Sequence, residues 1–340
     1  MYKEVFIRDF SSLGTTIDNF LQGVVNNTLL NRAFDNSLKL NPLFTIFMQT
    51  EALMAICKKF LNRDCLNNWL APYGKQLTEK EITVGIIMAG NLPLVGFHDF
   101  LVVMASGCRA EIKLSGKDKN LLPALFKILC RINPYWRERV IFIENLPEKI
   151  DLLLATGSEE SSKLFESKYK EVPKIVRGSR SSIAILNRDE TVDELRKLSD
   201  DIFLYFGMGC RSVSTLLVPA GYNYNSLIEI FSEREQTMKN EEYLGAYKYQ
   251  KTIAIMHNSW YIDGGFYILR EYPDFPPPMG VISVLTYKNA GQIDSFLDSN
   301  KSHLQCVVSR ASTKFGEAQY PPVDEYADGI NSLEFLLNNI

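Results

Sequence analysis

Cys210 is the side chain best placed by its neighbours for covalent chemistry. It lies in residues 200–219, DDIFLYFGMGCRSVSTLLVP, where Gly207 and Gly209 allow close approach of a ligand and Arg211 stands next to the thiol. A glycine-lined turn beside a cation favours the thiolate, the form that attacks carbonyls. A small buried hydrophobe is the commoner identity for any single cysteine. Further upstream, Asn91, Lys113 and Ser115 fall where strands end, and Gly157-Ser158 opens a helix. Ligands of open α/β sheets bind outside the carboxyl ends of the strands, and a Gly-Ser pair at a helix start can cradle phosphate with backbone N–H groups.

These residues need elements to hold them. Before Cys210, a helix capped at Thr191 with Glu194 as capping-box partner carries apolar residues at Val192, Leu195, Leu198, Ile202 and Tyr205, and Gly207 and Gly209 break it. After it, a β-branched run over residues 214–218 is stopped by Pro219. Around Asn91 the pattern predicts a strand at 84–88, a loop at 89–96, a helix at 97–106 and a second strand at 110–114, which together make one βαβ unit. A helix from about Asp118, with Pro123 in its first turn, then leads to strands at 140–143 and 152–155.

Elsewhere the signals alternate between helix and strand. Residues 172–186 read as two extended pieces around a solvated basic turn containing Arg177 and Arg180, both open to contact with a phosphate. Helices are expected at 225–233 and 241–250, a hairpin at Asp263-Gly264-Gly265, a strand at 281–287 and a short amphipathic helix at the end. Residues 11–70 read as flanking helices, one of them starting at Asn41-Pro42. His98 is expected to pack with local hydrogen bonds rather than to move protons, and Cys108 to pack.

With 340 residues, 46% hydrophobic, the chain can bury a large core and is expected to form two closely joined domains. A net charge of −3 without a long basic block excludes an electrostatic case for nucleic acid. The six cysteines have no metal-ligand spacing, so no metal is expected and the thiols should be reduced. The opening MYKEVFIRDF is too charged for a signal peptide, which makes the cytoplasm the default location. Asn91, Pro93, His98 and Asp99 interrupt the most apolar stretch, 84–108, and argue against a membrane span.

Taken in order, Asn91, Lys113, Gly157-Ser158 and Cys210 resemble the aldehyde dehydrogenase superfamily. Within it, GMGCRSVSTLLVP, the tail FGEAQYPPVDEYADGINSLEFL, and the segments NPLFT and NWLAPYG are similar to the acyl-CoA reductase family, one member of which makes the fatty aldehyde used by bacterial luciferase. The resemblance implies an α/β fold with two Rossmann-type domains and an active-site cleft between them. Residues 1–178 would hold N-terminal helices and the dinucleotide-binding domain, 179–310 the catalytic domain, and 311–340 a tail packing back on the core. It also implies Cys210 as nucleophile, Asn91 in the oxyanion hole, Lys113 and Ser115 at the adenosine ribose, and Gly157-Ser158 at the pyrophosphate.

Two departures from hydrolytic aldehyde dehydrogenases refine that expectation. Those enzymes place a glutamate base after the Gly-Ser helix, whereas residues 173–186 here contain no carboxylate, which suits an enzyme that keeps its thioester for reduction. Many NAD-preferring members also carry a glutamate after the lysine. This chain reads Lys113-Leu114-Ser115-Gly116-Lys117, so NADPH is the expected cofactor. Glu271 is a candidate for the nicotinamide ribose, with a surface carboxylate as its plainer identity. The implied activity is NADPH-dependent reduction of a fatty acyl-CoA or acyl-carrier thioester to the aldehyde, with CoA as leaving group. The alternatives are a CoA-acylating dehydrogenase of short-chain aldehydes and a non-catalytic acyl-binding or partner-binding protein. A homodimer is one assembly open to so short a member.

Overall fold

The computed structural model describes residues 2–272 and 274–340, which form two compact units, Met1–Gly178 with Pro321–Ile340, and Ser179–Tyr320. The last division falls between Tyr320 and Pro321 rather than at 310/311, so residues 311–320 belong with the Cys210 unit.

In the first unit, four helices precede the sheet: α1 (Tyr2–Leu21), α2 (Thr28–Leu40), α3 (Ile46–Lys59) and α4 (Arg63–Leu70). Phe6, Phe10, Leu13 and Ile17 recur on one face of α1 and are fully buried, as an amphipathic helix on a core requires. No helix starts at Asn41-Pro42. Asn41 closes α2 and its side chain accepts the Leu43 N–H, while Thr45 caps α3 by accepting from Met48. A cap residue can end one helix as readily as begin another, and here Pro42 lies in the connection.

The sheet of this unit comprises β1 (Thr83–Ile87), β2 (Arg109–Lys113), β3 (Val140–Ile143), β4 (Leu152–Thr156) and β5 (Lys174–Arg177), joined by α5 (Phe97–Ser106), α6 (Leu121–Ile132) and α7 (Glu159–Lys168). All neighbours are parallel, in the order β3-β2-β1-β4-β5. Every residue of α5 except His98 is buried, which fits a crossover helix covered on all sides. The His98 ring nitrogen Nε2 donates to the Val323 carbonyl at 2.8 Å, and the ring packs against Phe60 and Tyr326.

Arg177 is a correction to the solvated-loop reading. It ends β5 and is buried, with Nη1 2.9 Å from both Asp99 carboxylate oxygens and Nη2 2.6 Å from Ser332 Oγ. Such a pair is costly to break because removing one partner strands the other charge. Arg180 donates to the Leu304 carbonyl at 3.1 Å.

The second unit contains β6 (Ser181–Ile185), α8 (Val192–Phe203), β7 (Val213–Pro219), α9 (Asn225–Ser232), α10 (Glu241–Met256), β8 (Ile262–Asp263), β9 (Ile268–Arg270), β10 (Val281–Tyr287), α11 (Ala290–Asn300) and β11 (Leu304–Val308). Its sheet runs β11-β6-β7-β10-β9-β8, parallel except for the β8–β9 hairpin at the edge. The expected capping box at Thr191 and Glu194 is formed in both directions. The chain returns to the first unit in α12 (Ser332–Asn338). Among the described residues, no helix is long and apolar enough to cross a membrane.

Candidate active site

Cys210 sits on a turn that the backbone makes at some expense. α8 ends at Phe203, four residues before Gly207, because Leu204 leaves the helix with ψ 136°. Tyr205 (φ 59°), Phe206 (φ 55°) and Gly207 (φ 70°) then follow in succession in the left-handed region. Only the glycine is at ease there, and each of the others costs about 1–3 kcal/mol unless its surroundings compensate. Both aromatic side chains are buried, and Phe206 packs on Tyr243 with ring centroids 5.2 Å apart. Tyr205 therefore does not extend the apolar face of the helix, as its spacing predicts. It belongs to the turn that reverses the chain toward Cys210.

Cys210 itself is half-buried, whereas Cys57, Cys108, Cys130 and Cys306 are buried. Burial pushes the Cys57 thiol up to about 12 and raises Cys108 and Cys130 as well, so these three are poor nucleophiles. One neighbouring strand holds the Cys210 carbonyl, and a second backs it. On β6, Ser182 Oγ donates to the Cys210 carbonyl at 2.9 Å and accepts the Cys306 N–H from β11 at 3.2 Å. Cys306 Sγ lies 3.0 Å from the same hydroxyl. With the Ser182 proton committed to Cys210, the Cys306 S–H is left to donate. Burial raises Cys306, opposed by the Ser182 hydrogen bond and the Arg211 charge. On the other side, Ser212 Oγ accepts the Gly209 N–H at 3.2 Å, and the Arg211 guanidinium donates to the Ala318 carbonyl at 3.2 Å.

The remaining candidates gather at one edge of the first unit. Register pairs Ile87 with Lys113 and with Ala155, so the strand ends that lead to Asn91, Ser115 and Gly157-Ser158 are side by side. Asn91 is exposed in the loop after β1, and Lys113 closes β2. The two loops are packed together: a Cβ at Gly90 would overlap the Ser115 side chain, so glycine is required there. Asp118, which the sequence reading placed at a helix start, instead turns back. Its Oδ2 accepts the Leu94 N–H at 2.7 Å, while Oδ1 is buried without a hydrogen-bond partner among the described residues. Burial raises this carboxyl to about 6 against the lowering effect of the Leu94 N–H. Lys117 is exposed, its N–H donating to Ser115 Oγ at 3.3 Å.

Gly157 follows β4, and Ser158 caps α7 by accepting the Ser161 N–H at 3.3 Å. Glu159 and Glu160 occupy the first turn of that helix and already complement its positive end. A dinucleotide fits this edge in charge, since Lys113 and Lys117 supply positive charge beside a parallel-sheet carboxyl edge, and a Cβ at exposed Gly116 would meet no neighbour. Glu271 lies in the second unit, exposed after β9. By register Arg270 is level with Thr215 in the body of β7, two strands across.

Comparison with known proteins adds a family and a fold. A family model described as acyl-CoA reductase (LuxC) matches residues 26–240. Among solved structures, the chain is similar to an NAD+ complex of an aldehyde dehydrogenase from Bacillus cereus, with TM-score 0.64 and 14% identity over 91% of this chain and 72% of that one. Aldehyde dehydrogenase 21 from Physcomitrella patens, in complex with the reaction product succinate, gives TM-score 0.65 and 13% identity over 99% and 84%. Aldehyde dehydrogenase C from Pseudomonas syringae, a mutant complexed with NAD+ and octanal, gives 0.60 and 14% over 85% and 68%. At these identities the structural likeness shows the fold, which is that of the aldehyde dehydrogenases. No curated protein sequence matches the chain.

Proposed function

The chain belongs to the acyl-CoA reductase (LuxC) family and has the aldehyde dehydrogenase fold, and from that footing we propose that it reduces an acyl-CoA, or an acyl-carrier thioester, to the aldehyde through an acyl-Cys210 intermediate with NADPH as reductant. The observation that carries the reading is Cys210 itself: a half-buried thiol on a strained glycine turn, anchored by Ser182 and Ser212, inside the stretch that matches the family.

In this reading the Cys210 thiolate attacks the thioester carbonyl, and the Asn91 amide and a backbone N–H near Cys210 stabilise the oxyanion. The C–S bond to CoA breaks, CoA leaves as its thiolate, and the acyl group stays on Cys210. Lys113, Ser115 and Lys117 would hold the adenosine end of NADPH, with Gly157-Ser158 against its pyrophosphate. When bound, the cofactor supplies a hydride for the acyl carbon. Cleavage of the bond from Cys210 Sγ to that carbon returns the thiolate and frees the aldehyde. The absence of any carboxylate over residues 173–186 supports reduction over hydrolysis, since no base there activates water. A 2′-phosphate is favoured by exposed Lys117, and the nearest carboxylate on that loop, Asp118, is buried and turned toward Leu94. A long acyl chain is proposed on the family resemblance.

Mass spectrometry of the intact protein mixed with a long-chain acyl-CoA, NADPH omitted, tests this. The expected result is one acyl adduct, mapped to Cys210, that is lost as aldehyde when NADPH is added. Folded protein that forms no adduct with short or long acyl-CoAs would overturn it.

A further inference from the structure

Asp201 is a carboxylate on the apolar face of α8, between Leu198 and Ile202, and is fully buried. A charge at such a position is costly and would serve packing worse than alanine. Its two oxygens are spent on backbone from a distant part of the unit: Oδ2 accepts the Gly316 N–H at 2.6 Å and Oδ1 the Ala318 N–H at 3.0 Å. Residues 315–319 form neither helix nor strand, so these bonds, with two local turn bonds and the burial of Phe315 and Ala318, set their path. That path ends at the two residues that follow the nucleophile. The Ala318 carbonyl accepts from Arg211, and Gln319 Nε2 donates to Ser212 Oγ at 3.1 Å, the same hydroxyl that accepts the Gly209 N–H. Three successive left-handed residues persist only where the surroundings over-determine them, and Asp201 lies four residues before the first of them.

We propose that Asp201 is a positioning residue for acyl transfer: by holding residues 315–319 it presents Ala318 and Gln319 to Arg211 and Ser212, and so keeps the strained turn in the register that aims the Cys210 thiol. The inference rests on Cys210 being the nucleophile. Its counterpart on the opposite flank is Ser182, so the turn is gripped from two sides that are far apart in sequence.

The test uses the full chain and the variants Asp201→Asn, Gln319→Ala and Cys210→Ala. Asp201→Asn is expected to lower kcat about 10²-fold, the scale of a misplacement of about 1 Å, with KM for NADPH unchanged because the proposed cofactor residues lie in the other unit. Alkylation of Cys210 by iodoacetamide, followed by peptide mapping in the folded protein with Cys65 as internal reference, is expected to change at least about tenfold in rate. Gln319→Ala, which removes one link without touching a buried charge, should move both readouts in the same direction by a smaller factor. A merely structural role would lower Tm while leaving the alkylation rate of folded protein and kcat intact, and that result overturns the proposal. Retained reductase activity in Cys210→Ala would instead overturn the nucleophile assignment, which the alkylation measurement separates from the positioning role.

Discussion

Asp118 in the first unit and Asp201 in the second are both buried carboxylates that accept backbone N–H groups from a segment beside candidate site residues, but they hold those segments to different degrees. Asp118 accepts one N–H, from Leu94 in the Asn91 loop, and leaves Oδ1 without a partner among the described residues. Asp201 uses both oxygens, on Gly316 and Ala318. Leu94, which Asp118 holds, is itself left-handed (φ 59°), whereas Asp201 holds residues 315–319 and the left-handed Tyr205 and Phe206 follow it in its own chain segment. The segment beside the proposed nucleophile is thus held by two carboxylate bonds, and the loop of the proposed oxyanion donor by one.

The largest effect on the first-unit side should come from Asn91 itself. Asn91→Ala is expected to lower kcat by about 10²–10³ while leaving the fold intact, the usual consequence of losing one oxyanion donor. Asp118→Ala, which frees Leu94 but keeps Asn91, should lower kcat less than either Asn91→Ala or Asp201→Asn. Steady-state kinetics on the three variants checks the order. Asp118→Ala more damaging to kcat than Asp201→Asn would break the comparison.

Much of the scaffold is legible in the sequence because it rests on short-range signals. The βαβ unit shows as apolar runs of strand and helix length separated by Asn91-Leu92-Pro93, and the capping box shows as Thr191 with Glu194 three residues on. What holds Cys210 is not legible, because it is assembled across more than 100 residues: Ser182 with Cys306, and Asp201 with Gly316. One signal was present. Asp201 interrupts the apolar face formed by Leu195, Leu198 and Ile202, and a carboxylate there must find donors somewhere. The burial of Arg177 is hidden for a related reason, because its partner Asp99 lies 78 residues away and the local Gly-Ser-Arg context looks like a turn. Tyr205 has helical spacing, yet tertiary packing of Tyr205 and Phe206 overrides it.

A second test sharpens the comparison through pH. Burial raises Asp201 to about 7 and Asp118 to about 6, against an ordinary value of 3.8, with backbone N–H groups opposing it in both and Asp200 and Glu317 adding to it at Asp201. A carboxyl raised in the folded state holds a proton that the unfolded chain has released. Its contribution to stability is therefore greatest at low pH, falls as pH rises from 3.8 through the folded value, and is level above it. Asp201→Asn should flatten the decline up to pH about 7, and Asp118→Asn only up to about 6. Glu194, held down to about 2 chiefly by Arg310, acts in the opposite sense, but only below its ordinary 4.5. Urea midpoints between pH 6 and 7 separate the two aspartates, because only Asp201→Asn should differ in slope from the parent there. Equal slopes would mean that the ionised Asp201 costs the fold nothing.

The smallest effects fall at the proposed cofactor edge, where charges are exposed and screened. Lys117 is exposed and attracts a 2′-phosphate, whereas Glu159 and Glu160 stand in the first turn of α7, where a pyrophosphate would be repelled. Exposed charges of this kind contribute on the order of 0.3–1 kcal/mol each, which is about 2–5-fold in affinity. Lys117→Ala should raise KM for NADPH by about that factor with little change for NADH. Glu159→Gln with Glu160→Gln should lower KM for both cofactors, because the pyrophosphate is common to them. Added salt should shrink each difference, since the Debye length is about 8 Å at physiological ionic strength. Neither change should alter the alkylation rate of Cys210. If removing the two glutamates left KM for both cofactors unchanged at low salt, Gly157-Ser158 would not lie at the pyrophosphate, and the cofactor site would have to be sought nearer Lys113 alone.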